Sequence, residues 1–253
     1  MLESVAIFSV PSVSATSGLW SAAMALCALG SLSLSPVVFK YPAIRSLRDY
    51  CHRERIVALT YDDGPSSTLT PEIADVLGEA GVRATFFLVG SQIPGREALV
   101  DRLAAEGHEL GCHTLSHRHA WKTPPWRTVA DISDGYDALA RWVPSDGIFR
   151  PPYGKLVLNS WLHVRRRRAP FVWWTHDSGD TFRHLPPATK VAERIQRDQG
   201  GIVLLHDSDR SNPAHRRFVL EATRTLLSVG RAEGLRFLPA GDVVRAVTKP
   251  ALT

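Results

Sequence analysis

Residues 56–65 read Ile56-Val57-Ala58-Leu59-Thr60-Tyr61-Asp62-Asp63-Gly64-Pro65. The run Ile56 to Tyr61 carries no charge and is long enough for a strand buried on both faces. Two adjacent carboxylates and a Gly-Pro turn follow at once. Neighbouring like charges repel, and a buried carboxylate is costly without a partner. The pair therefore either faces a cation or sits in a solvated turn, where Asp-Gly is common.

Working outward, strand and helix signals alternate. Thr70 as N-cap, Pro71 in the first helical position and Gly81 as the stop predict a helix with Ile73, Val76 and Leu77 on one face. Ala84 to Val89 reads as the next strand. Glu97 to Glu106 reads as a helix with Leu99, Val100 and Leu103 turned inward and Gly107 after it. Further strands are expected at His108–Cys112, Gly147–Phe149, Phe171–Trp174, Ile202–Leu205 and Arg236–Leu238. Helices are expected near Thr128–Arg141, Thr189–Arg197 and His215–Glu233. Such alternation predicts an α/β fold with a parallel sheet or an α/β barrel. Barrels carry their chemistry just beyond the C-terminal ends of the strands.

The polar clusters fall there. His113-Thr114-Leu115-Ser116-His117 follows the third strand. Two histidines at i and i+4 on a helical turn can face one cation, and one carboxylate completes a set of two His and one Asp. Arg150-Pro151-Pro152-Tyr153-Gly154 follows the fourth, and its Arg could orient a carboxylate through paired hydrogen bonds. Thr175-His176-Asp177-Ser178-Gly179-Asp180 and His206-Asp207-Ser208 follow the next two. His176 and His206 are both candidate general acids, since imidazole pKa values are easily tuned. Surface histidines, a Pro-rich loop and satisfied core histidines are the plain alternatives for each segment alone.

The chain has 253 residues, 44% of them hydrophobic and 22% charged, values of an ordinary globular protein. That excludes a disordered chain, a coiled-coil rod and a collagen-like fibre. The net charge is +5, which permits an anionic partner. No basic stripe on a recognisable nucleic-acid fold is present, so nucleic acid is not the expected partner. Cys27, Cys51 and Cys112 are too few and scattered for a disulfide framework.

Ser4 to Phe39 contains no charged residue, and residues 18–39 are long enough to span a bilayer. Lys40, Arg45, Arg48, Arg53 and Arg55 follow. That asymmetry places the C-terminal portion in the cytoplasm if the stretch is an anchor. A cleaved export signal and a loosely attached or buried segment are the other readings. Residues 1–50 are accordingly separated from a catalytic domain at 51–253.

From about residue 54 to 240 the chain resembles the polysaccharide deacetylases of the NodB-homology type, carbohydrate esterase family 4. Thr60 to Pro65 is similar to T-F-D-D-G-P with Tyr61 for Phe, and His113 to His117 matches H-[ST]-x-x-H. Arg150 to Gly154 matches R-x-P-Y-G, Asp177 to Asp180 matches D-S-x-D, and Ile202 to Asp207 matches the last motif. The resemblance implies a distorted (β/α)7-type barrel. It implies one divalent metal ion, usually zinc with cobalt or manganese as alternatives, held by Asp63, His113 and His117. Asp62 would be the general base, Arg150 would orient it, and His206 would be the general acid supported by Asp180 rather than Asp177. The Tyr153 backbone N–H would hold the oxyanion, and Leu204 would line the pocket for the acyl methyl. Thr181 stands where the family has Trp, with Trp173 and Trp174 close by; Trp174 is the substrate-facing choice. His119 to Trp126 offers further aromatic surface.

The implied activity is removal of an N-acetyl or other short acyl group from an amino sugar, in a glycan or in a lipid-linked oligosaccharide at the membrane. O-acetyl esterase, a phosphoester hydrolase, and a silent glycan-binding or membrane protein on the same fold are the competing readings. Cys112 is expected to pack as a small apolar residue. Arg165 to Arg168 reads as a solvated helix end or a meeting place for phosphate head groups.

Overall fold

In the computed structural model, which describes residues 39–208 and 213–248, strand β1 (Ile56–Gly64) is the spine. All its residues except Asp63 are buried, as the uncharged run Ile56–Tyr61 requires, and Asp62 is buried with them. It pairs in parallel with β2 (Thr85–Leu88) on one side and β5 (Gly201–His206) on the other. β6 (Arg236–Phe237) lies against its first residues. The ladder runs β3-β2-β1-β5-β4, with β3 at Glu109–Cys112 and β4 at His176–Asp177. Isolated parallel bridges extend it from Cys112 to Phe149 and from Phe149 to Phe171. Every pairing is parallel, so all the strands deliver their C-terminal ends to one edge.

The expected strands at Gly147–Phe149 and Phe171–Trp174 are therefore reduced to single bridges. Regular pairing instead starts at His176, beyond the predicted run. No ladder closes the sheet into a ring among the described residues, although Phe171 and His176, one short segment, stand at its two edges.

Helices fill the crossovers. α1 covers residues 39–54 and buries Leu47 and Cys51 against the core, so it runs across the boundary drawn at residue 50. The span expected at residues 18–39 lies outside the described residues except for Phe39. Among the described residues no helix is long and apolar enough to cross a membrane.

α2 (Leu69–Ala80) ends on Gly81 at φ 65°, as the glycine signals. Its start differs from the expectation. The N-cap is Thr68, and the Ser66 hydroxyl accepts the N–H groups of Leu69 and Thr70. Thr70 is buried in the first turn, and its hydroxyl binds Asp207. Serine three residues ahead of the helix thus supplies the acceptor that Thr70 was expected to supply.

α3 (Glu97–Ala105), α4 (Pro125–Ala138), α6 (Thr189–Asp198) and α7 (Pro213–Ala232) lie close to their predicted ranges. α5 (Leu158–Arg166) and α8 (Ala240–Thr248) complete the set. Arg165 and Arg166 close α5 and Arg167 caps it.

α4 positions the loop after β3. Asp131, buried on this helix, accepts the N–H of Ser116, and its carbonyl accepts that of Leu115. One turn on, a Cβ on Gly135 would lie 2.5 Å from the Thr114 carbonyl carbon and 2.7 Å from the Leu115 nitrogen. Gly135→Ala therefore pushes backbone against backbone. The expected result is a loss of about 1–3 kcal/mol, read as a lower melting temperature, together with weaker divalent-cation binding by His113 and His117. An unchanged melting temperature would show that α4 is not seated as described.

Candidate active site

β1 places Asp62 and Asp63 at the C-terminal edge of the sheet. Successive strand residues normally point to opposite faces. Here both carboxylates line one cavity, because a bulge interrupts the β1–β2 register between Asp62 and Gly64. Asp63 is the extra residue and takes φ 75°. Bulges re-aim side chains in this way.

Leu88 and Ile148 carbonyls tie down His113 and Cys112 through their N–H groups. The segment His113–His117 is not the helical turn that the spacing suggested. Thr114 and His117 both have positive φ, 68° and 52°. The imidazoles meet because this irregular loop folds back, with the His117 N–H on the Thr114 hydroxyl at 3.0 Å. His117 Nε2 lies 3.0 Å from Asp63 Oδ1, and His113 Nε2 lies 3.5 Å from it. One donor atom from each of Asp63, His113 and His117 lies within 4.8 Å of the others. His113 Nδ1 is 2.7 Å from the Arg150 carbonyl, an acceptor only. A proton on Nδ1 is thus held by that carbonyl, and Nε2 is the atom a bound cation would meet, the usual outer support of a metal-binding histidine.

Asp63 feels two opposed influences. Burial pushes its carboxyl up, while hydrogen bonds to His113 and His117 and the charges of His113 and His206 outweigh it and hold it well below the usual carboxylate range.

Arg150 is fully buried. Its Nη1 donates to Asp62 Oδ1 at 2.7 Å and to the Thr60 hydroxyl at 2.6 Å. Its Nε donates to the Val172 carbonyl, and its guanidinium lies 4.2 Å from the centroid of the Phe87 ring. The contact to Asp62 is a single bond rather than the paired fork expected: Nη1 is shared with Thr60, Nε is turned to the Val172 carbonyl, and Nη2 has no hydrogen-bond partner among the described residues.

On the neighbouring strand, His206 stands directly in register with Asp62. Its Nδ1 is 2.8 Å from Asp180 Oδ1, and its own N–H donates to Asp180 Oδ2 at 2.7 Å. Burial works against a charged imidazole, but the Asp180 carboxylate outweighs it and raises His206 to about 9. Asp180 also lies 3.6 Å from His215 Nε2 on α7. Asp177 is not on His206. It lines the cavity, and its Oδ1 accepts the Gly179 N–H.

His176 is a satisfied core histidine. It lies between Thr175 and Asp198, and burial lowers its pKa.

The cavity measures about 300 Å³. Besides Asp62, Asp63, His113, His117 and His206 it is lined by Tyr153, Gly154, Trp174, Thr181 and Leu204. Tyr153 takes φ 56°, and its ring packs 4.7 Å from His117 and 4.9 Å from His119. Asp63, Thr114, His117 and Tyr153 are all non-glycine residues in the left-handed region. Each costs on the order of 1–2 kcal/mol, and such outliers cluster where function requires them. Trp173 does not line this cavity. Cys112 is buried in the core, and burial pushes its thiol up to about 12.

Sequence reasoning missed the residues that hold this site from behind. They are Asp131, Gly135, His215 and Asp207, whose buried carboxyl is raised to about 7 by burial. Gly135 showed as a glycine inside a helical pattern, and Asp207 stood in the polar cluster after Ile202–Leu205 with no role assigned to it.

A carboxylate held by Arg150 and an imidazole held by Asp180, beside residues that could hold a cation at the C-terminal edge of a parallel α/β sheet, are the groups a hydrolase needs. The comparisons name its kind. The family described as Polysaccharide deacetylase matches residues 49–169. A peptidoglycan-N-acetylglucosamine deacetylase of Bacillus cereus is 31% identical over 202 residues, 77% of this chain and 90% of that protein. A chitooligosaccharide deacetylase of Bradyrhizobium sp. is 31% identical over 173 residues, covering 67% and 77%. A solved peptidoglycan N-acetylglucosamine deacetylase, in complex with a naphthalenyl N-oxidanyl-benzamide, superposes with a TM-score of 0.68. It is 27% identical, over 77% of this chain and 90% of that one. The chain belongs to the polysaccharide deacetylase family, the NodB-homology enzymes of carbohydrate esterase family 4, and is a deacetylase.

Proposed function

We propose that the enzyme removes N-acetyl groups from amino sugars of peptidoglycan- or chitooligosaccharide-type glycans, using one divalent cation, with zinc the best fit. The observation that carries this is the convergence of Asp63, His113 and His117 within 4.8 Å beside an Arg150-bound Asp62. One carboxylate oxygen and two imidazole nitrogens are a borderline donor set that suits zinc, and they leave positions open for water and substrate. A cation bound there supplies Lewis acidity toward the amide carbonyl and acidifies water.

The chain's own groups do the rest. Asp62, held by Arg150, takes the proton of the attacking water at its carboxylate. The Tyr153 N–H, presented by the strained turn, faces the oxygen that becomes negative. His206, kept protonated by Asp180, gives its proton to the departing amine. Leu204 and Trp174 shape the end of the cavity for the acyl methyl and the sugar. Thr181 leaves that wall without the family's Trp. The charge asymmetry around residues 18–40 supports a membrane anchor with the catalytic part on the cytoplasmic side as part of this proposal.

The test is acetate release by the purified full chain from N-acetylchitooligosaccharides and peptidoglycan, with zinc, cobalt or manganese added after chelation. Release is expected, and phosphate release from phosphoesters is not. His117→Ala is expected to weaken divalent-cation binding at least about tenfold, measured by calorimetry. Unaltered cation binding in His117→Ala, or no acetate with any of the three metals, would overturn the reading.

A further inference from the structure

A second and larger cavity, about 610 Å³, opens next to the catalytic one. Phe39, Trp161, Phe171 and Trp173 form its apolar walls, with Phe39 stacked on Trp161 at 5.2 Å and Phe171 on Trp173 at 6.0 Å. Lys40, Arg165 and Arg168 also line it. No carboxylate does, and none of the three cations makes an ion pair among the described residues.

The two cavities share a wall. Trp173 faces the larger one and Trp174 the catalytic one. Lys40 spans the wall: its Nζ lies 4.8 and 5.0 Å from the centroids of these two rings and donates to the Gly154 carbonyl at 3.3 Å. Gly154 itself lines the catalytic cavity. Burial and the neighbouring Lys155 both pull the Lys40 amine down, so an anion beside it would be stabilised.

We propose that this groove holds the phosphate and first hydrocarbon units of a lipid-phosphate carrier, so that the substrate is an N-acylated amino sugar linked to such a carrier. The proposal rests on the deacetylase reading and deepens it. The sugar occupies the catalytic cavity, the phosphate meets Lys40, Arg165 and Arg168, and the hydrocarbon lies along Trp161 and Trp173. Guanidinium groups bind phosphate by charge-assisted hydrogen bonds. A free phosphate has no use for the aromatic walls. The chain's own run Ser4–Phe39 ends at this groove but is uncharged, so it does not answer the three cations.

The experiment uses the full chain with its cation, and farnesyl phosphate as the probe. Binding is read by tryptophan fluorescence, and the catalytic rate by acetate release from a soluble N-acetylchitooligosaccharide. Saturable binding of farnesyl phosphate is expected, with farnesol and inorganic phosphate each weaker by about tenfold or more. The double variant Arg165→Gln/Arg168→Gln should weaken farnesyl phosphate by a similar factor and keep the rate on the soluble sugar within about twofold. Arg224→Gln, on the far helix α7, should change neither.

Farnesol binding as tightly as its phosphate, or an equal loss in Arg224→Gln, would each overturn the proposal. So would binding to phosphatidylglycerol vesicles through Arg165 and Arg168 with no effect of farnesyl phosphate, since that describes a membrane surface instead. If the soluble sugar releases no acetate, the deacetylase reading fails first, and the fluorescence titration still reads the groove by itself.

Discussion

Asp62→Asn lowers acetate release on the order of 10³-fold and leaves divalent-cation binding in place. Proton transfer by a positioned group contributes roughly 10²–10⁴-fold, and an amide oxygen has almost no basicity. The substitution keeps the shape and one acceptor for Arg150 Nη1, now 2.7 Å from Asp62 Oδ1. The proposed cation donors are Asp63, His113 and His117, so affinity for zinc should hold within a few-fold. Stability will fall, because Arg150 is fully buried and loses its counter-charge; a broken buried pair costs about 3 kcal/mol or more. The melting curve must therefore be recorded beside the kinetics. Acetate release at the parent rate by a folded, cation-loaded Asp62→Asn would remove Asp62 from the base role.

His206→Gln separates two reactions by their leaving groups. An amine leaves only with a proton, so release from an N-acetyl sugar should drop on the order of 10²-fold or more. An aryl acetate expels a phenolate unaided, so its hydrolysis should fall by less than about tenfold. Equal losses on both substrates would mean that His206 positions substrate and transfers no proton.

The pH profile follows with a definite sign. The folded-state pKa of His206 is raised to about 9, with burial opposing and Asp180 prevailing. The protonated acid is thus present below that value and is lost as pH rises through it, which sets the alkaline limb of kcat/KM near 9. Asp180→Asn removes the raising charge, so the limb should move toward the ordinary imidazole value of about 6.5. An alkaline limb that stays put in Asp180→Asn would break the link between these two residues.

What could be read along the chain was short-range. An uncharged run followed by Asp62-Asp63-Gly64-Pro65 declared a buried strand with chemistry at its end, and the succession of such runs declared a parallel α/β sheet. Polar clusters just after strands pointed to Asp63, His113, His117, Arg150 and His206, because parallel strands must bring those ends to one edge. The residues by themselves did not choose between His176 and His206 as the acid; the family resemblance named His206, with Asp180 beside it. Both follow apolar runs, and the fold puts His176 on Asp198 and His206 on Asp180.

The amino-acid order alone thus determined the class of fold, the edge that bears the chemistry and the residue types available there. Tertiary structure decided how they meet. A bulge at Asp63 turns two adjacent carboxylates into one cavity, an irregular loop held by Asp131 replaces the helical turn between the two histidines, and the start of α1 carries Lys40 to the wall of the site. The physical reason is range. Periodicity and turn chemistry act between near neighbours and leave a local trace, whereas these contacts join residues tens of positions apart and exist only once the sheet has assembled.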